Sequence, residues 1–383
     1  MRLRIGFIPL VDAAALIVAA DRGFAAAEGL ELELIREVSW SNVRDKLNLG
    51  LFDAAHLLAP MAIASSLGLG HVRVPLLAPF NLALNGNAIT VTRELFAALS
   101  DAATGDIADP NVSAAALARV VAARRAGGLA PLTFGMTFPF SNHNYQLRFW
   151  MAAAGLDPDE DVRLVVLPPP FMVDSLTSGH VDGFCVGAPW NQVAVDLGLG
   201  HILHFGSDLQ ARLTEKVLAV REPWAAQESD SLRALLRALQ RAAAFVADPV
   251  NAGEVARLLA APHRVGVGAQ LMQRILQGRI KVAADGTTRT SQDYLLIGRD
   301  NVDRPDPVHA AWLYAQMVRW KQAPLSRHAL TGAKAVFRPD LYEAAIDTRS
   351  APADHTPRDH IGAFAGPPFD AENIAAHVTA PAR

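Results

Sequence analysis

The chain has 383 residues, of which 51% are hydrophobic and 19% are charged, and its formal net charge is −3. This length is too great for one simple core and suits two lobes, and the composition is typical of a folded chain rather than a disordered one. The slightly acidic balance argues against direct nucleic-acid binding, which usually needs a basic surface.

The first predicted elements are a strand from Leu3 to Ile8 and a helix from Ala13 to Ala20. The same stretch resembles a secretory signal, because a basic start precedes an apolar run. Pro9 and Asp12 interrupt that run, and cleavage would delete the first strand, so we expect these residues to be retained. No apolar run is long enough to span a bilayer. The single cysteine, Cys185, excludes an internal disulfide.

Two segments share one spacing of glycine, aspartate and proline, which indicates a duplicated half. Helices are predicted at Asn42 to Leu49 and Val173 to Ser178, each ended by a glycine in the left-handed conformation. A short buried strand follows each aspartate, and each proline opens the next helix. The matched residues are Gly50, Asp53 and Pro60 in one segment and Gly179, Asp182 and Pro189 in the other.

Each half therefore reads β-α-β-α-β-α, which predicts a parallel sheet with helices on both faces. We interpret Ala88 to Ile89 and Val217 to Val220 as crossings between two lobes. Helices from Leu232 to Phe245 and from Val308 to Lys321 are expected to return to the first lobe. The predicted domains are residues 1–87 with 217–347 as lobe 1, 88–216 as lobe 2, and a weakly patterned tail at 348–383. A short helix is predicted in that tail at Asp370 to His377.

Two such lobes create a cleft lined by the loops that follow the strands. Trp40 follows a predicted strand, with Ser41 expected as the N-cap of the next helix. His143 starts a helix that runs to Ala154. An aromatic face and a histidine beside helix N-termini suit a planar anion. Taken alone, Trp40 is also typical of a core residue and His143 of a capping residue.

Three further residues stand at similar positions. Gly187 follows a strand and would let a ligand approach its backbone N–H. Lys216 precedes an apolar run and could supply charge to an anion, with Glu215 expected to point to the other side of the extended chain. Asn87 lies in a turn-like Asn-Gly-Asn segment. A tight turn, a surface lysine and a simple turn are the ordinary explanations of these three.

Enzyme motifs are missing from the sequence. It has no paired-cysteine metal motif, HExxH, Walker loop or GxSxG, and its 12 histidines lack metal-ligand spacing.

Taken together, seven segments resemble the nitrate- and bicarbonate-binding proteins of ABC importers and the related cytoplasmic nitrate sensors of the NasS type. The segments are FIPLVDAAALIVA, SWSNVRDKLNLG, DAAHLLAPM, NGNAIT, MTFPFSNHNYQLRFWMAAAG, FCVGAPW and EKVLAV. They spread over residues 5–220. The resemblance implies a type II periplasmic-binding-protein-like fold, an α/β architecture of two lobes with the ligand in the cleft between them.

The resemblance also implies a nitrate pocket of tryptophan, glutamine, histidine, a backbone glycine and lysine. Trp40, His143, Gly187 and Lys216 match four of these positions. Asn87 stands where the importers usually carry glutamine, which keeps the amide on a shorter side chain. Ala188, outside those five positions, stands where the family commonly has an acidic residue.

A lysine at position 216 favours nitrate or nitrite over bicarbonate. The bicarbonate branch carries an acidic residue there, which recruits calcium, whereas a lysine supplies one positive charge to one anion. No metal and no cofactor is then expected.

By the same resemblance, the protein would be a cytoplasmic nitrate sensor and not an enzyme. Its partner would be a NasT-like response-regulator antiterminator that binds RNA, while the sensor itself touches neither nucleic acid nor membrane. One alternative is an exported subunit of a nitrate ABC importer. A second is an enzyme like the pyrimidine synthase of thiamine biosynthesis, whose cysteine-rich iron motif this chain cannot provide.

Overall fold

A computed structural model describes residues 1–346 and 361–379, and two β-sheets organise it. The strands are β1 (Arg2–Phe7), β2 (Glu31–Arg36), β3 (Ala54–Leu58), β4 (Leu76–Asn85), β5 (Asn87–Thr92), β6 (Thr133–Met136), β7 (Arg163–Val166), β8 (Gly183–Gly187), β9 (Gly200–Phe205), β10 (Thr214–Arg221), β11 (Arg279–Lys281), β12 (Thr288–Thr290) and β13 (Leu295–Leu296). The α-helices are α1 (Ala14–Asp21), α2 (Trp40–Asn48), α3 (Ala59–Leu67), α4 (Arg93–Ala102), α5 (Pro110–Ala126), α6 (Asn142–Ala153), α7 (Met172–Thr177), α8 (Trp190–Asp196), α9 (Gly206–Leu209), α10 (Glu222–Gln227), α11 (Ser229–Ala247), α12 (Ala252–Ala260), α13 (Ala269–Leu276), α14 (Pro307–Arg319), α15 (Arg327–Val336), α16 (Pro339–Ala345) and α17 (Ile374–Thr379).

The two sheets have related topologies, one in each lobe of a mixed α/β fold. The first sheet has the order β13-β4-β10-β3-β1-β2, and the second has the order β7-β6-β8-β5-β9. In the first, β1 is parallel to β2 and β3, and in the second, β6 is parallel to β7 and β8. The predicted β-α-β-α-β-α order is confirmed for both halves. The expectation of two-lobed α/β architecture is therefore correct.

The expectation of purely parallel sheets is wrong. Strand β10 is antiparallel to β3 and β4, and β5 is antiparallel to β8 and β9. The chain passes to the second sheet through β5 and returns to the first sheet through β10. Each of these two strands runs opposite to the parallel strands of the repeated half that it joins.

The repeated glycines and prolines have the predicted roles. Gly50 and Gly179 follow helices α2 and α7 with φ angles of 76° and 69°, where a side chain would strain the backbone. Pro60 lies in the first turn of α3, and Pro189 is the N-cap of α8.

The crossings between the sheets lie earlier in the chain than predicted. Ala88 to Ile89 belongs to β5 in the second sheet, and Val217 to Val220 belongs to β10 in the first. The chain instead passes over at Gly86, with φ of 93°, and at residues 210–213. The predicted lobe limits stay a prediction, and residue 347 lies outside the described residues.

Helices from the second half of the chain pack against the first lobe, as predicted. Helix α11 contacts α1, and α14 contacts α3 and α15. The amino-terminal stretch is part of this core: β1 lies between β2 and β3, and residues 13–19 are completely buried.

The tail can be followed in part. The helix predicted at Asp370 to His377 is found a few residues later, as α17. Residues 348–360 and 380–383 of the predicted tail lie outside the described residues. The described part bonds to the second crossing, where Ala211 N donates to Gly362 O at 3.0 Å and Phe364 N donates to Leu209 O at 3.0 Å.

Within residues 1–346 and 361–379, no helix is both long enough and apolar enough to cross a membrane.

The loop after β13 approaches α11 too closely to accept a side chain. Gly298 has φ of +66°, and an added Cβ would lie 2.1 Å from the backbone oxygen of Ala243. We therefore expect Gly298→Ala to lower the free energy of unfolding by roughly 2 kcal/mol or more. Urea unfolding checks this, with Gly268→Ala as the matched control because nothing lies within 4 Å of its added Cβ. Equal stability of the two variants would contradict the argument.

Candidate functional site

A fully buried lysine lies at the centre of the candidate site. Lys216, on β10, has no exposed surface. Its Nζ donates to Glu215 Oε1 at 2.8 Å and lies 3.0 Å from Asp12 Oδ2. Asp12 and Glu215 are only 2% and 1% exposed, so one ammonium group is held by two buried carboxylates. Burial without such partners would cost several kcal/mol per charge.

The two adjacent residues Glu215 and Lys216 point the same way, which contradicts the expectation from an extended chain. The pairing of β10 with β4 is irregular on either side of Lys216, between Thr214 and Lys216 and again at Val217. Such an irregularity breaks the alternation of side chains along a strand. It therefore brings the carboxylate of Glu215 to the ammonium group of its neighbour.

The mutual attraction in this cluster fixes the charges of Asp12 and Lys216. Burial alone would raise the pKa of Asp12, but Lys216 and His56 outweigh it and lower that pKa to about 2. Burial alone would lower the pKa of Lys216, but Asp12 and Glu215 raise it above its usual value. Both groups are charged at neutral pH.

Trp40 covers the lysine with its ring. The ring centroid lies 5.4 Å from Lys216 Nζ, and the ring meets His56 edge-on at 5.3 Å. Trp40 is the first residue of α2, and the N-cap is Ser39, whose Oγ accepts from Asn42 N at 3.3 Å. The prediction of Ser41 as the N-cap is wrong, because the helix starts two residues earlier than its sequence pattern indicates.

His56 links this group to the first strand. Its Nδ1 accepts from Ile8 N at 3.4 Å, so the ring proton is on Nε2, which lies 2.9 Å from Asp12 Oδ1. Burial is the largest influence on the pKa of His56 and lowers it, so the ring is neutral.

His143 reaches the cluster from the second lobe. It is the second residue of α6, which Ser141 caps by accepting from Asn144 N at 3.1 Å. Its Nδ1 lies 2.9 Å from Thr137 Oγ1, and its Nε2 lies 3.6 Å from Glu215 Oε1. Burial lowers the pKa of His143 to about 4.

Asn87 and Gly187 complete the site. They pair with each other where β5 begins and β8 ends. Asn87 Nδ2 donates to Glu215 Oε2 at 2.8 Å and to Gln146 Oε1 at 3.1 Å. A Cβ at Gly187 would lie 3.4 Å from Asp12 Oδ2, so the missing side chain leaves room beside that carboxylate.

The structure thus brings all five predicted residues together. Three buried polar atoms in the group have no hydrogen-bond partner among the described residues: Trp40 Nε1, Asn87 Oδ1 and His143 Nε2. Trp40 Nε1 is a donor, Asn87 Oδ1 is an acceptor, and His143 Nε2 donates when it carries a proton. That these five residues bind a ligand stays a prediction.

The lobes meet around this cluster. Val11 N donates to Ala188 O at 2.9 Å, and Asn142 Nδ2 donates to Thr214 O at 2.8 Å. Farther out, Tyr145 in α6 donates from its hydroxyl to Gln322 Oε1 at 2.8 Å. The arrangement is a closed one, because every charged side chain of the cluster is at most 3% exposed.

Sequence reasoning missed four members of the site: Asp12, His56, Gln146 and Glu215. Asp12 gave a usable signal, since an aspartate inside the apolar run FIPLVDAAALIVA needs a buried partner. The other three look like ordinary strand or helix residues, and only the fold brings them to Lys216.

A lysine holds the carboxylates of the cluster together. In the part of the chain that the structure describes, no group of three or more His, Cys, Asp or Glu side chains is arranged to hold a metal ion. The carboxylates of Asp12 and Glu215 are instead bridged by Lys216.

Comparison with known proteins gives the family. The NMT1-like family matches residues 1–260. The chain is 31% identical over 385 residues to the nitrate/nitrite binding protein NrtA of Synechococcus elongatus, covering 98% of this chain and 84% of that protein. The chain belongs to the NMT1-like family, and within it to the group that includes NrtA.

Other relatives of this NMT1-like chain include transport ATP-binding proteins. It is 30% identical over 380 residues to the bicarbonate transport ATP-binding protein CmpC of Synechocystis, covering 99% of this chain and 54% of CmpC. The chain spans about half the length of such relatives, and 49% of the nitrate import ATP-binding protein NrtC of the same organism.

A solved structure shows the same architecture over the whole chain. The periplasmic nitrate-binding protein NrtA from Synechocystis superposes with a TM-score of 0.89 at 28% identity, covering 98% of this chain and 97% of that one. The fold expected from the sequence is therefore confirmed.

The ion pairs of Asp12 should give it a distinctive effect on stability. Its folded pKa of about 2 lies below the usual 3.8. The resulting stabilisation, about 2 kcal/mol, is present above about pH 4 and lost as the pH falls toward 2. We expect the difference in free energy of unfolding between wild type and Asp12→Asn to shrink by that amount between about pH 6 and pH 2.

Asp303 is the matched control, because burial raises its pKa to about 6. The effect of pH on stability has the opposite sign here. The free energy of unfolding of wild type should rise relative to that of Asp303→Asn as the pH falls from about 7 to 4. Urea unfolding across this range measures both variants. The same pH trend in both would show that Asp12 is not stabilised by its ion pairs.

Proposed function

We propose that this protein binds nitrate, and with it nitrite, between its lobes at Lys216. The observation that carries the proposal is the convergence of Trp40, Asn87, His143 and Gly187 on the buried ion pairs of Lys216 with Asp12 and Glu215. The similarity over nearly the whole chain to NrtA, a nitrate/nitrite binding protein, supports the same ligand.

The chemistry of the site suits a planar, weakly hydrated monovalent anion. Lys216 Nζ would donate to one oxygen in a charge-assisted bond, with the ring of Trp40 beside it. Trp40 Nε1 is buried without a hydrogen-bond partner among the described residues and supplies a further donor. His143 Nε2 is also buried without such a partner, and it supplies another donor when the ring is protonated.

Binding would favour the closed arrangement of the lobes. Lys216 lies in the first sheet and Trp40 in helix α2 of the same lobe. Gly187 lies in the second sheet and His143 in helix α6 of that lobe. An anion held by both sets binds the closed form better than the open form, and this difference in affinity drives closure. Micromolar binding, about 8 kcal/mol, is ample to shift a modest equilibrium.

We further propose that the protein is a cytoplasmic nitrate sensor. Anion-driven closure would release a NasT-like antiterminator, which acts on leader transcripts of nitrate-assimilation genes. In support, β1 and α1 lie in the core of the first lobe.

A second candidate is the binding subunit of a nitrate ABC importer. The observation in its favour is the close structural match to a periplasmic nitrate-binding protein. Both candidates use the same pocket and differ in compartment and partner. The named relatives are binding and transport proteins, which favours binding over catalysis in either case.

The ligand is tested by calorimetric titration with nitrate, nitrite and bicarbonate, the last also with calcium. We expect micromolar nitrate binding without metal, and its loss, by at least about a hundredfold, in Lys216→Glu and Lys216→Gln. Lys281→Gln is the control, because that lysine pairs at the surface with Asp196. Circular dichroism confirms that each variant is folded. Nitrate binding retained by folded Lys216→Gln, or calcium-dependent bicarbonate binding alone, would contradict the proposal.

The cellular role is tested by fractionation and by capture. A sensor should remain in the cytoplasm and retain a response-regulator-like RNA-binding protein that nitrate releases. Recovery of the protein outside the inner membrane, bound to a permease, would establish the importer subunit instead.

A further inference from the structure

The buried cluster around Lys216 has an unbalanced charge. Asp12 and Glu215 both pair with Lys216, and Glu215 also accepts from Asn87, so one ammonium group faces two carboxylates. Because the two histidines are neutral, the cluster has one net negative charge. A site that accepts an anion is thus already negative. None of the charged side chains is more than 3% exposed, so water screens the charges little.

An added anion would double this negative charge unless something positive comes with it. The charged and titratable groups that interact with the cluster are Asp12, His56, His143, Cys185, Glu215, Lys216 and Tyr294. Burial raises the pKa of Tyr294 above its usual value, so its hydroxyl already carries its proton. Lys216 already carries its proton, and burial raises the pKa of Cys185 well above its usual value, so neither can take one up. Protonation of Asp12 would break its ion pair with Lys216.

The two histidines differ in their freedom to accept a proton. His56 has both ring nitrogens engaged, since Nδ1 accepts from Ile8 N and Nε2 faces Asp12 Oδ1. Protonation of its Nδ1 would cost the bond from Ile8. His143 has Nδ1 beside Thr137 Oγ1, while its Nε2 lies 3.6 Å from Glu215 Oε1, farther than the 2.9 Å between His56 Nε2 and Asp12 Oδ1. A proton on that nitrogen would face a carboxylate.

We propose that each anion bound at this site is accompanied by one proton from solvent, which the imidazole ring of His143 takes up beside Glu215. The net charge of the buried cluster then does not change on binding. This inference rests on the proposed anion-binding function and adds its regulation by pH. Glu215 acts here as a positioning residue, since its charge makes the proton necessary and holds it.

The pKa of His143 agrees with this account. Burial holds it at about 4, so the ring is neutral before the anion enters, and a nearby negative charge raises it. Because binding takes up a proton, affinity must fall as the pH rises. For one proton per anion, the dissociation constant increases about tenfold per pH unit wherever the free ring is neutral and the bound ring is charged.

The experiment is calorimetric titration of the full-length protein with sodium nitrate at about pH 5.5, which lies above the pKa of about 4 of the free His143 ring. Succinate and MES differ in ionisation enthalpy, so the difference in heat between them counts the protons taken up. We expect proton uptake that approaches about one proton per nitrate in wild type, since one nearby charge raises a pKa by about 1–3 units. We also expect the dissociation constant to rise by up to about tenfold between about pH 5 and pH 6.

Two variants distinguish the charge that makes the proton necessary, on Glu215, from the residue that accepts the proton, His143. Glu215→Gln removes one negative charge and keeps the side-chain size. It should bind nitrate with little proton uptake, with a nearly constant dissociation constant, and more tightly than wild type at about pH 8. His143→Gln removes the acceptor and should lose both the proton uptake and part of the affinity.

His204→Gln is the matched control. His204 is equally buried, its pKa is also lowered to about 4, and its Nε2 contacts Ser113 Oγ in the core of the second lobe. Proton uptake should be unchanged in this variant. Nitrate binding by wild type without proton uptake would overturn this inference and leave the proposed function intact. The absence of nitrate binding would overturn both.

Discussion

The ion pairs of Lys216 are the constraint on which the rest of this site depends. A buried ammonium is tolerated only with partners, and its two carboxylates come from distant parts of the chain, Asp12 near the start and Glu215 beside it in β10. Asp12 in turn engages His56, and Glu215 engages Asn87 and approaches His143. Each of these residues is fixed by the one before it. The lobes therefore meet around a polar network in which each side chain is linked, directly or through a neighbour, to Lys216 Nζ.

The fold puts this network where the two sheets face each other. The repeated halves end their strands toward the same cleft, and β10 returns from the second lobe to the centre of the first sheet, between β3 and β4. The irregular pairing of β10 with β4 at Lys216 is what aims two successive side chains into the cleft. A regular strand at that position would offer the lysine or the glutamate, but not both.

Much of this was predictable from the sequence, and the misses have definite causes. Alternation of elements and the repeated glycine, aspartate and proline predicted both halves, because those signals are local. The crossings were placed too late, since the buried strands β5 and β10 read as apolar linkers. Of the site, the family resemblance gave Trp40 and Lys216, whereas Glu215 was missed because strand periodicity assumes regular pairing. His56, inside an apolar strand, could be assigned only once its neighbour Asp12 was seen in space.

Residues 361–379 contact both lobes. Gly362 and Phe364 bond to Ala211 and Leu209 at the second crossing, and the ring of Phe364 packs at 5.5 Å against Phe149 of α6. A few residues later, His377 packs at 4.6 Å against Trp312 in α14 of the first lobe. A hinge motion that separated the lobes would therefore either stretch the segment 361–379 or break the contacts at one of its ends. The position of this segment thus depends on the distance between the lobes.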